Sequence, residues 1–365
     1  MPGNHLKKSI GGIKQNMTDY KESTEDKEEK ELNELFQDNP NSNSFDRIVR
    51  KAKRRSILRN IVISLFVMVF LVITLGFSWL SIMRSSQENA MRDIELFSEI
   101  TQPNVEELGV QNMGNGLFEG ILYFNRYKEI GGIPINWSDH VVTFSLFGGV
   151  SQLTGDHMPI QLIDENDGQT RYYERETKQR IMQFYHPEVT YNDIRNDLNS
   201  LNKFSDETLV EVALSFDQIY TPDEVREFIP DGVTLKWYWA DTYTNIEVLK
   251  EIDKETVNGE KINIPSSPEL ATDIYGFDEF LADPSKSEEK FIEDIEMGLS
   301  VEGGKYFGEF ERIYSYLKGE SSTLTADTVN VLGAVVTSTA AELTKLEDLD
   351  MIRASVFGVT VHTNK

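Results

Sequence analysis

One uncharged stretch, Ile61–Met83, limits what this chain can fold into more than any other feature. Its 23 residues include no charged side chain, no proline and no amide side chain, and Val, Ile, Leu and Phe dominate. At about 1.5 Å per residue, a helix of this length spans about 34 Å, which is enough to cross a hydrocarbon core of about 30 Å. The stretch is too long for the apolar region of a signal peptide, and about 60 residues precede it. It therefore predicts an uncleaved transmembrane helix over residues 61–83.

The charged residues on either side of this stretch predict its orientation. Seven basic residues precede it, whereas only Arg84 and Arg92 occur in the first eighteen residues after it. The seven membrane-flanking basic residues are Arg47, Arg50, Lys51, Lys53, Arg54, Arg55 and Arg59. The positive-inside rule then puts the N-terminus in the cytoplasm, and Trp79 suits the aromatic belt at the outer interface. We predict a single-pass protein of the cell membrane with an extracytoplasmic C-terminal region.

The charge of the chain is unevenly divided between the two predicted sides. The chain has 36 basic and 61 acidic residues, of which 13 and 10 precede Ile61, so the remainder carries a net charge of −28. Such an acidic surface repels phosphate, which argues against direct nucleic-acid binding. The chain has no cysteine, which excludes disulfides and thiolate metal sites. An exported region without disulfides fits a Gram-positive bacterium.

The predicted cytoplasmic segment divides into a tail and two short helical stretches. Residues 1–25 are polar and without periodicity, which predicts a disordered tail. Residues 26–38 favour a short helix, and Asn and Pro in residues 39–43 end it. A second helix is predicted from Ser44, whose hydroxyl suits a helix N-cap, and it continues without a break into the apolar stretch. The apolar residues on one side of the first helix are Leu32, Leu35 and Phe36.

A narrow apolar stripe follows the second helix through its basic surface. Phe45, Ile48, Val49 and Ala52 have the i, i+3, i+4, i+7 spacing that places them on one face. One interpretation is a juxtamembrane anchor, in which the basic residues attract anionic lipid and the stripe lies in the interface. The other is that the two helices of residues 26–60 form an arm that clasps a cytoplasmic protein, with the apolar faces of the helices lying in a groove of that protein. The residues alone leave both open.

The first part of the predicted extracytoplasmic region, residues 84–201, mixes helix and strand. The polar continuation of the apolar helix extends over residues 84–97, and a loop is predicted over residues 100–109. The aromatic and β-branched segments 114–128 and 141–147 predict strands.

The remaining module, residues 202–365, contains two similar units of strand, helix and strand. In each unit the helix begins at a capping box, Thr221–Glu224 in one and Thr339–Glu342 in the other. The four predicted strands cover residues 209–216, 233–240, 328–337 and 351–362, and further helices are predicted at 287–297 and 307–317. This pattern predicts an α+β fold with helices on one face of a sheet, for which a ferredoxin-like arrangement is a candidate.

The sequence has no convincing catalytic motif. It lacks H-E-x-x-H, a G-x-S-x-G elbow and a phosphate-binding P-loop. Asp164–Gly168 resembles part of a calcium loop with the wrong spacing, and a solvated turn is the simpler interpretation. Trp237–Trp239 could stack on sugars, although at least one face of such a strand is expected to be core. We therefore predict a protein that is not an enzyme and holds no cofactor or metal.

Two parts of the chain resemble the sigma-factor regulator family of Firmicutes. The segment FDRIVRKAKRRSILRNIVIS, which leads into the membrane stretch, is similar to the family's N-terminal module. The segments LVEVALSFDQIYTPDEVREFIPDGVTLKWYWADTYT and VLGAVVTSTAAELTKLEDLDMIRASVFGVTV resemble its C-terminal extracytoplasmic module. The chain lacks the H-x-x-x-C-x-x-C element of zinc-containing anti-sigma domains, so any inhibitory surface must be a metal-free helical arm.

The resemblance implies a membrane anti-sigma factor. Such a protein would hold an extracytoplasmic-function sigma factor at the cytoplasmic face, through the arm of residues 26–60, and release it when the envelope is stressed. Membrane lipid is a further expected partner, and a second membrane protein could take part in release. The alternative is a membrane-anchored sensor whose external region binds a wall component or a cation without direct sigma-factor binding.

Overall fold

A computed structural model describes most of the chain after the predicted tail. The described residues are 42–154, 158–165, 167–250, 253–257, 260–264, 266–321 and 323–362. Two compact units are present, Met1–Trp79 and Leu80–Lys365. The predicted tail of residues 1–25 and the predicted helix of residues 26–38 lie outside the described residues.

A single helix, α1, extends over Ser42–Glu99. Its 58 residues contain no proline and only one glycine, Gly76, so no residue interrupts the hydrogen-bond ladder. The prediction that the basic segment, the apolar stretch and the polar continuation form one unbroken helix is confirmed. Within α1 the apolar stretch is long and apolar enough to cross a membrane, which suggests a single-pass membrane protein.

The first sheet of the Leu80–Lys365 unit is antiparallel, with strand order β1, β2, β4, β5 and with β3 paired to β2. Its strands are β1 Glu106–Asn115, β2 Glu119–Ile130, β3 Ile133–Asn136, β4 His140–Ser145 and β5 Val150–Thr154. The strands predicted over 114–128 and 141–147 are confirmed. The loop predicted over 100–109 is partly wrong, because β1 begins at Glu106. This polar edge strand is held by pairing with β2, which overrides its weak strand propensity.

The last five turns of α1 pack along this sheet. Met83, Ala90 and Ile94 are buried and share one apolar cluster with residues that alternate along β2 and β4. The sheet members of the cluster are Leu122, Phe124, Val142 and Phe144. One face of the polar continuation of the helix is therefore part of the hydrophobic core.

The second sheet is also antiparallel, with strand order β15, β11, β16, β10, β17. Its strands are β10 Leu209–Tyr220, β11 Thr234–Ala240, β15 Gly276–Asp278, β16 Val331–Thr339 and β17 Ile352–Val361. All four strands predicted for the C-terminal module are present. The helices between them are α2 Pro222–Phe228 and α6 Ala340–Leu343.

Both faces of this sheet are buried. One face packs on helices α4 Ser287–Ser300 and α5 Phe307–Lys318, which confirms both predicted helices, and on α2 and α6. The other face packs on the segment around Ile181–Tyr191 and on the end of β2. Because both faces are covered, Trp237, Tyr238 and Trp239 are all buried, and the interpretation of this run as a sugar-stacking surface is wrong.

Smaller elements complete the described part of the Leu80–Lys365 unit. A 3-10 helix extends over Asp197–Lys203. The remaining elements are β6 Ile160–Ile163, β7 Thr170–Tyr173, β8 Arg180–Ile181, β9 Gln183–Phe184, α3 Glu247–Lys250, β12 Asp253–Val257, β13 Glu260–Ile264 and β14 Glu269–Leu270. The unit is thus a mixed α and β fold.

Candidate functional site

The first candidate surface is formed by the first turns of α1. Phe45, Ile48, Val49 and Ala52 are exposed and lie on one face of the helix, as their spacing predicts. We call these four residues the arm stripe. An exposed apolar helix face of this kind suits contact with lipid or with a protein partner.

Basic side chains surround the arm stripe on the rest of the helix. All seven predicted membrane-flanking residues are exposed, and Asp46 is the only acidic residue between Ser42 and Arg59. Among the described residues, none of the seven forms an ion pair that would neutralise it. The surface therefore combines a narrow apolar stripe with a strong positive charge, which suits either anionic lipid or an acidic partner groove.

Three predicted partner-binding residues, Leu32, Leu35 and Phe36, lie outside the described residues. The structure brings the four residues of the arm stripe together and leaves the predicted two-helix arm untested.

The C-terminal end of α1 belongs to the Leu80–Lys365 unit and packs within it. The ring of Phe97 stacks on Tyr306, with 3.8 Å between centroids and an interplanar angle of 7°. One turn earlier, Asp93 accepts a hydrogen bond from the backbone N–H of Lys305 at 2.8 Å. These contacts fix the last turns of the helix against the start of α5.

The loop after α1 is tied to the second sheet. The carbonyl of Ile100, which is fully buried, accepts a hydrogen bond from the N–H of Gly276 at 2.9 Å. Asn104 adopts a left-handed backbone conformation and donates to Oε1 of Glu211 at 2.8 Å. The same oxygen pairs with Lys128 Nζ at 2.9 Å, and the other carboxylate oxygen accepts from the N–H of Val359. Glu211 thus connects the loop after α1 to both sheets.

A cavity of about 400 Å³ lies beside this junction. Phe97 near the end of α1 and Thr101 in the loop after it line the cavity, together with Lys128 of β2, Trp137 after β3 and Leu270 of β14. Its lining is mainly apolar with a few polar groups, which is the usual character of a small-molecule site. Residues that form the end of α1 therefore also form part of a cavity wall.

The remaining motifs have structural explanations. Asp164 and Asp167 both pair with Arg171, so the aspartates of the calcium-like segment are engaged by an arginine. His186 is buried against Trp239 and Tyr243, and burial lowers its pKa to about 4. Within the described residues no group of three or more His, Asp or Glu side chains could hold a metal ion.

Two family models match the chain. The model described as sigma factor regulator N-terminal matches residues 46–135, and the one described as sigma factor regulator C-terminal matches residues 201–359. Together they cover more than half of the chain. The chain belongs to the sigma factor regulator family. No curated protein and no solved structure matches it.

The N-terminal family match coincides with the structural features described above. It begins at Asp46, inside the arm, and includes the apolar stretch of α1 and the first sheet through β3. Along the chain, this family member thus carries a basic helical segment, an apolar stretch and an α/β unit in that order.

Sequence reasoning missed Glu211 as a structural centre. In the segment LVEVALSF, Glu211 alternates with Val210 and Val212, which is the pattern of a half-exposed strand. The sequence contains no signal that the Glu211 face is covered by the first sheet. The buried pair with Lys128 becomes visible only in the folded structure.

Proposed function

We propose that this chain is a membrane anti-sigma factor that holds an extracytoplasmic-function sigma factor at the cytoplasmic face of the membrane and releases it on an envelope signal. The single observation that carries the proposal is the N-terminal family match, because it begins within the arm and continues through the apolar stretch. The exposed arm stripe supports it, since an apolar helix face suits a helix-in-groove contact.

The proposed orientation has the arm inside the cell and the α/β unit outside. The basic residues of the arm support it through the positive-inside rule. The net charge of −28 after Asn60 supports it too, because an acidic region is poorly suited to nucleic acid and the anionic inner leaflet. The absence of cysteine in an exported unit is in keeping with a Gram-positive envelope.

The proposed route of regulation is the helix itself. Its external turns are buried in the first sheet, and its exit loop is bonded to Glu211. A change in the external unit that shifts these contacts can therefore act on the same helix that carries the arm stripe. The role is non-catalytic, because binding and release need no covalent chemistry.

The proposal extends to the type of fold in the C-terminal module. The neighbouring strands β17, β10, β16 and β11 are antiparallel, and the two strand–helix–strand units interleave in this order. That order supports a ferredoxin-like arrangement with β15 added at the edge.

Transcription in living cells tests the proposed function. Deleting the protein is expected to raise transcription from promoters of one extracytoplasmic-function sigma factor, and full-length protein is expected to restore repression. A chain that lacks residues 26–58 but keeps α1 from Arg59 onward is the matched control, and it is expected not to repress. Unchanged transcription from all such promoters on deletion would contradict the proposal.

A second candidate, an external sensor that does not bind a sigma factor, is favoured by the cavity beside Phe97 and Thr101. This alternative predicts that replacing residues 1–43 leaves function intact. Ala271 also lines the cavity, so filling the cavity by Ala271→Trp would then abolish the response to the envelope signal, whereas removing the arm stripe would change nothing.

A further inference from the structure

Two neighbouring hairpin turns of the first sheet carry large, exposed apolar side chains. Leu117 and Phe118 lie between β1 and β2 and are 73% and 62% exposed, and Phe147 lies between β4 and β5 and is 88% exposed. The N–H of Leu146 donates to the carbonyl of Phe118 at 2.7 Å, so the two turns lie side by side. We call Leu117, Phe118 and Phe147 the apolar tip.

The apolar tip lies beside α1 at the level where the apolar stretch ends. Met83, the last residue of that stretch, is buried against the first sheet. Ser86 Oγ lies 3.5 Å from the carbonyl oxygen of Leu146, and Asn112 Nδ2 donates to Gln87 Oε1 at 2.7 Å. Ser86 is three residues beyond Met83, which is about 5 Å along the helix. Both hairpins therefore meet the helix within one turn of its apolar stretch.

The two turns are uncharged in an otherwise acidic region. The segments GNGLF at residues 114–118 and LFGGV at residues 146–150 contain no ionisable side chain. Gly148 has a positive φ angle, which allows the tight reversal between β4 and β5. Single exposed apolar residues are common on protein surfaces, but an uncharged cluster of three marks an interaction surface.

We propose that the apolar tip inserts into the outer lipid leaflet next to the point where α1 leaves the membrane. The inference rests on the proposed membrane crossing. The polar region of a bilayer is about 5–7 Å thick on each side, so a surface at the level of Ser86 lies within it. Aromatic and aliphatic side chains there leave water for the acyl boundary, and aromatic rings favour this interface.

The size and position of the apolar tip favour lipid over a protein partner. A stable protein interface takes about 20–30 residues on each side, whereas the tip has three apolar side chains. Its continuity with the apolar stretch through Met83 also places it where lipid is the adjacent medium. Insertion would hold the external unit to the membrane at α1 and at two hairpins. A change in lipid packing would then act directly on the first sheet, which packs against α1.

Single-cysteine labelling tests this insertion, because the natural chain has no cysteine. Leu117→Cys and Phe147→Cys variants of the full-length protein are labelled with a nitroxide and placed in phosphatidylcholine vesicles. Electron paramagnetic resonance then compares the collision of each label with oxygen, which concentrates in lipid, and with a water-soluble nickel chelate. We expect oxygen collision to exceed nickel collision at both positions.

Two further labels serve as references. Ile133→Cys is the first residue of β3, directly after the turn that follows β2 and roughly 35 Å along β2 from the tip, and is expected to collide mainly with nickel. Phe70→Cys lies in the apolar stretch and is expected to collide mainly with oxygen. Circular dichroism of each labelled variant checks that the fold is kept.

The outcomes separate the inference from the proposal on which it rests. If the tip labels collide mainly with nickel, as Ile133→Cys does, while the Phe70→Cys label collides mainly with oxygen, insertion is overturned and the membrane crossing stays intact. Tip labels shielded from both collision agents would show that protein covers the tip, which also overturns it. A Phe70→Cys label that collides mainly with nickel would contradict the membrane crossing itself.

Discussion

Lys128 and Glu211 form an ion pair of 2.9 Å whose side chains are 3% and 0% exposed. The pair joins β2 of the first sheet to β10 of the second, and Asn104 from the loop after α1 bonds the same carboxylate oxygen. Lys128 also lies 4.5 Å over the ring of Trp137. The loop after α1 and both sheets meet at this pair.

Breaking the pair is expected to destabilise the Leu80–Lys365 unit strongly. Removing one partner leaves the other charge buried and uncompensated, which costs about 3–5 kcal/mol. We therefore expect Glu211→Gln and Lys128→Met each to lower the free energy of unfolding by about that amount. Urea denaturation of the full-length protein in detergent, followed by tryptophan fluorescence, measures the change.

An exposed pair provides the control for this prediction. Lys250 pairs with Glu188 at 3.0 Å in a solvent-exposed position. Lys250→Met is expected to leave the unfolding midpoint unchanged, because solvent screens such a pair. Equal effects of Lys250→Met and Lys128→Met would show that burial does not set the strength of the Lys128–Glu211 pair.

A pH dependence is expected from Glu269. Burial and, secondarily, the nearby Asp273 raise the pKa of Glu269 from 4.5 to about 7. Because the folded state binds the proton more tightly, this residue makes stability fall as the pH rises from about 4.5 to 7, and the loss persists above pH 7. Glu269→Gln is therefore expected to raise the melting temperature at pH 8 and to have no effect at pH 4.

The comparison of Glu269→Gln with the natural chain must be made at each pH. His186 produces the opposite slope, since its pKa of about 4 makes stability rise between pH 4 and 6.5. This contribution is common to both proteins and cancels in the difference. A difference in melting temperature that stays constant from pH 4 to 8 would rule out an elevated pKa for Glu269.

The arm stripe is expected to carry much of the sigma-factor affinity. Phe45→Glu or Ile48→Glu would place a charge in the proposed groove and remove an apolar contact worth about 1.5–3 kcal/mol, so the dissociation constant should rise at least about tenfold. Isothermal titration calorimetry with the full-length protein in detergent measures it.

Arg54→Gln is the matched control for the arm stripe, because Arg54 lies on the opposite side of the same helix from Phe45 and Ala52. It is expected to change the dissociation constant by less than either stripe variant. Full affinity in both stripe variants would mean that the stripe is not the contact surface.

Helix continuity predicts the effect of a break. Inserting Gly-Pro after Arg59 would interrupt α1 between the arm stripe and the apolar stretch. We expect sigma-factor binding to persist and the response to envelope stress to be lost, as measured by a promoter reporter with and without stress. An Ala-Ala insertion at the same point keeps the helix but rotates it, which separates continuity from register. Normal signalling in the Gly-Pro variant would show that the helix serves only as a tether.

Local patterns predicted the elements whose own sequence determines them. The apolar stretch and the lack of proline predicted α1, and Thr221 and Glu224 predicted a capping box that is present in full. The second box is only half formed. Thr339 accepts from the N–H of Glu342, but the Glu342 side chain bonds Lys345 instead of returning to the cap.

Features that depend on distant contacts could not be predicted from local sequence. Glu106 and Glu107 have poor strand propensity, and pairing with β2 makes their segment an edge strand. The burial of Glu211 depends on the first sheet covering β10, and that packing is not encoded in the alternation of β10 itself. For the arm, spacing predicted the shared face of the stripe, whereas the identity of its partner depends on the family match.

Co-purification from membranes tests the central claim most directly. Tagged full-length protein is extracted in detergent from unstressed cells and its bound proteins are identified by mass spectrometry, beside a variant that lacks residues 26–58. We predict that one extracytoplasmic-function sigma factor is bound in near-stoichiometric amount by the full-length protein and is missing with the variant. Recovery of no sigma factor, or equal recovery with both proteins, would contradict the account.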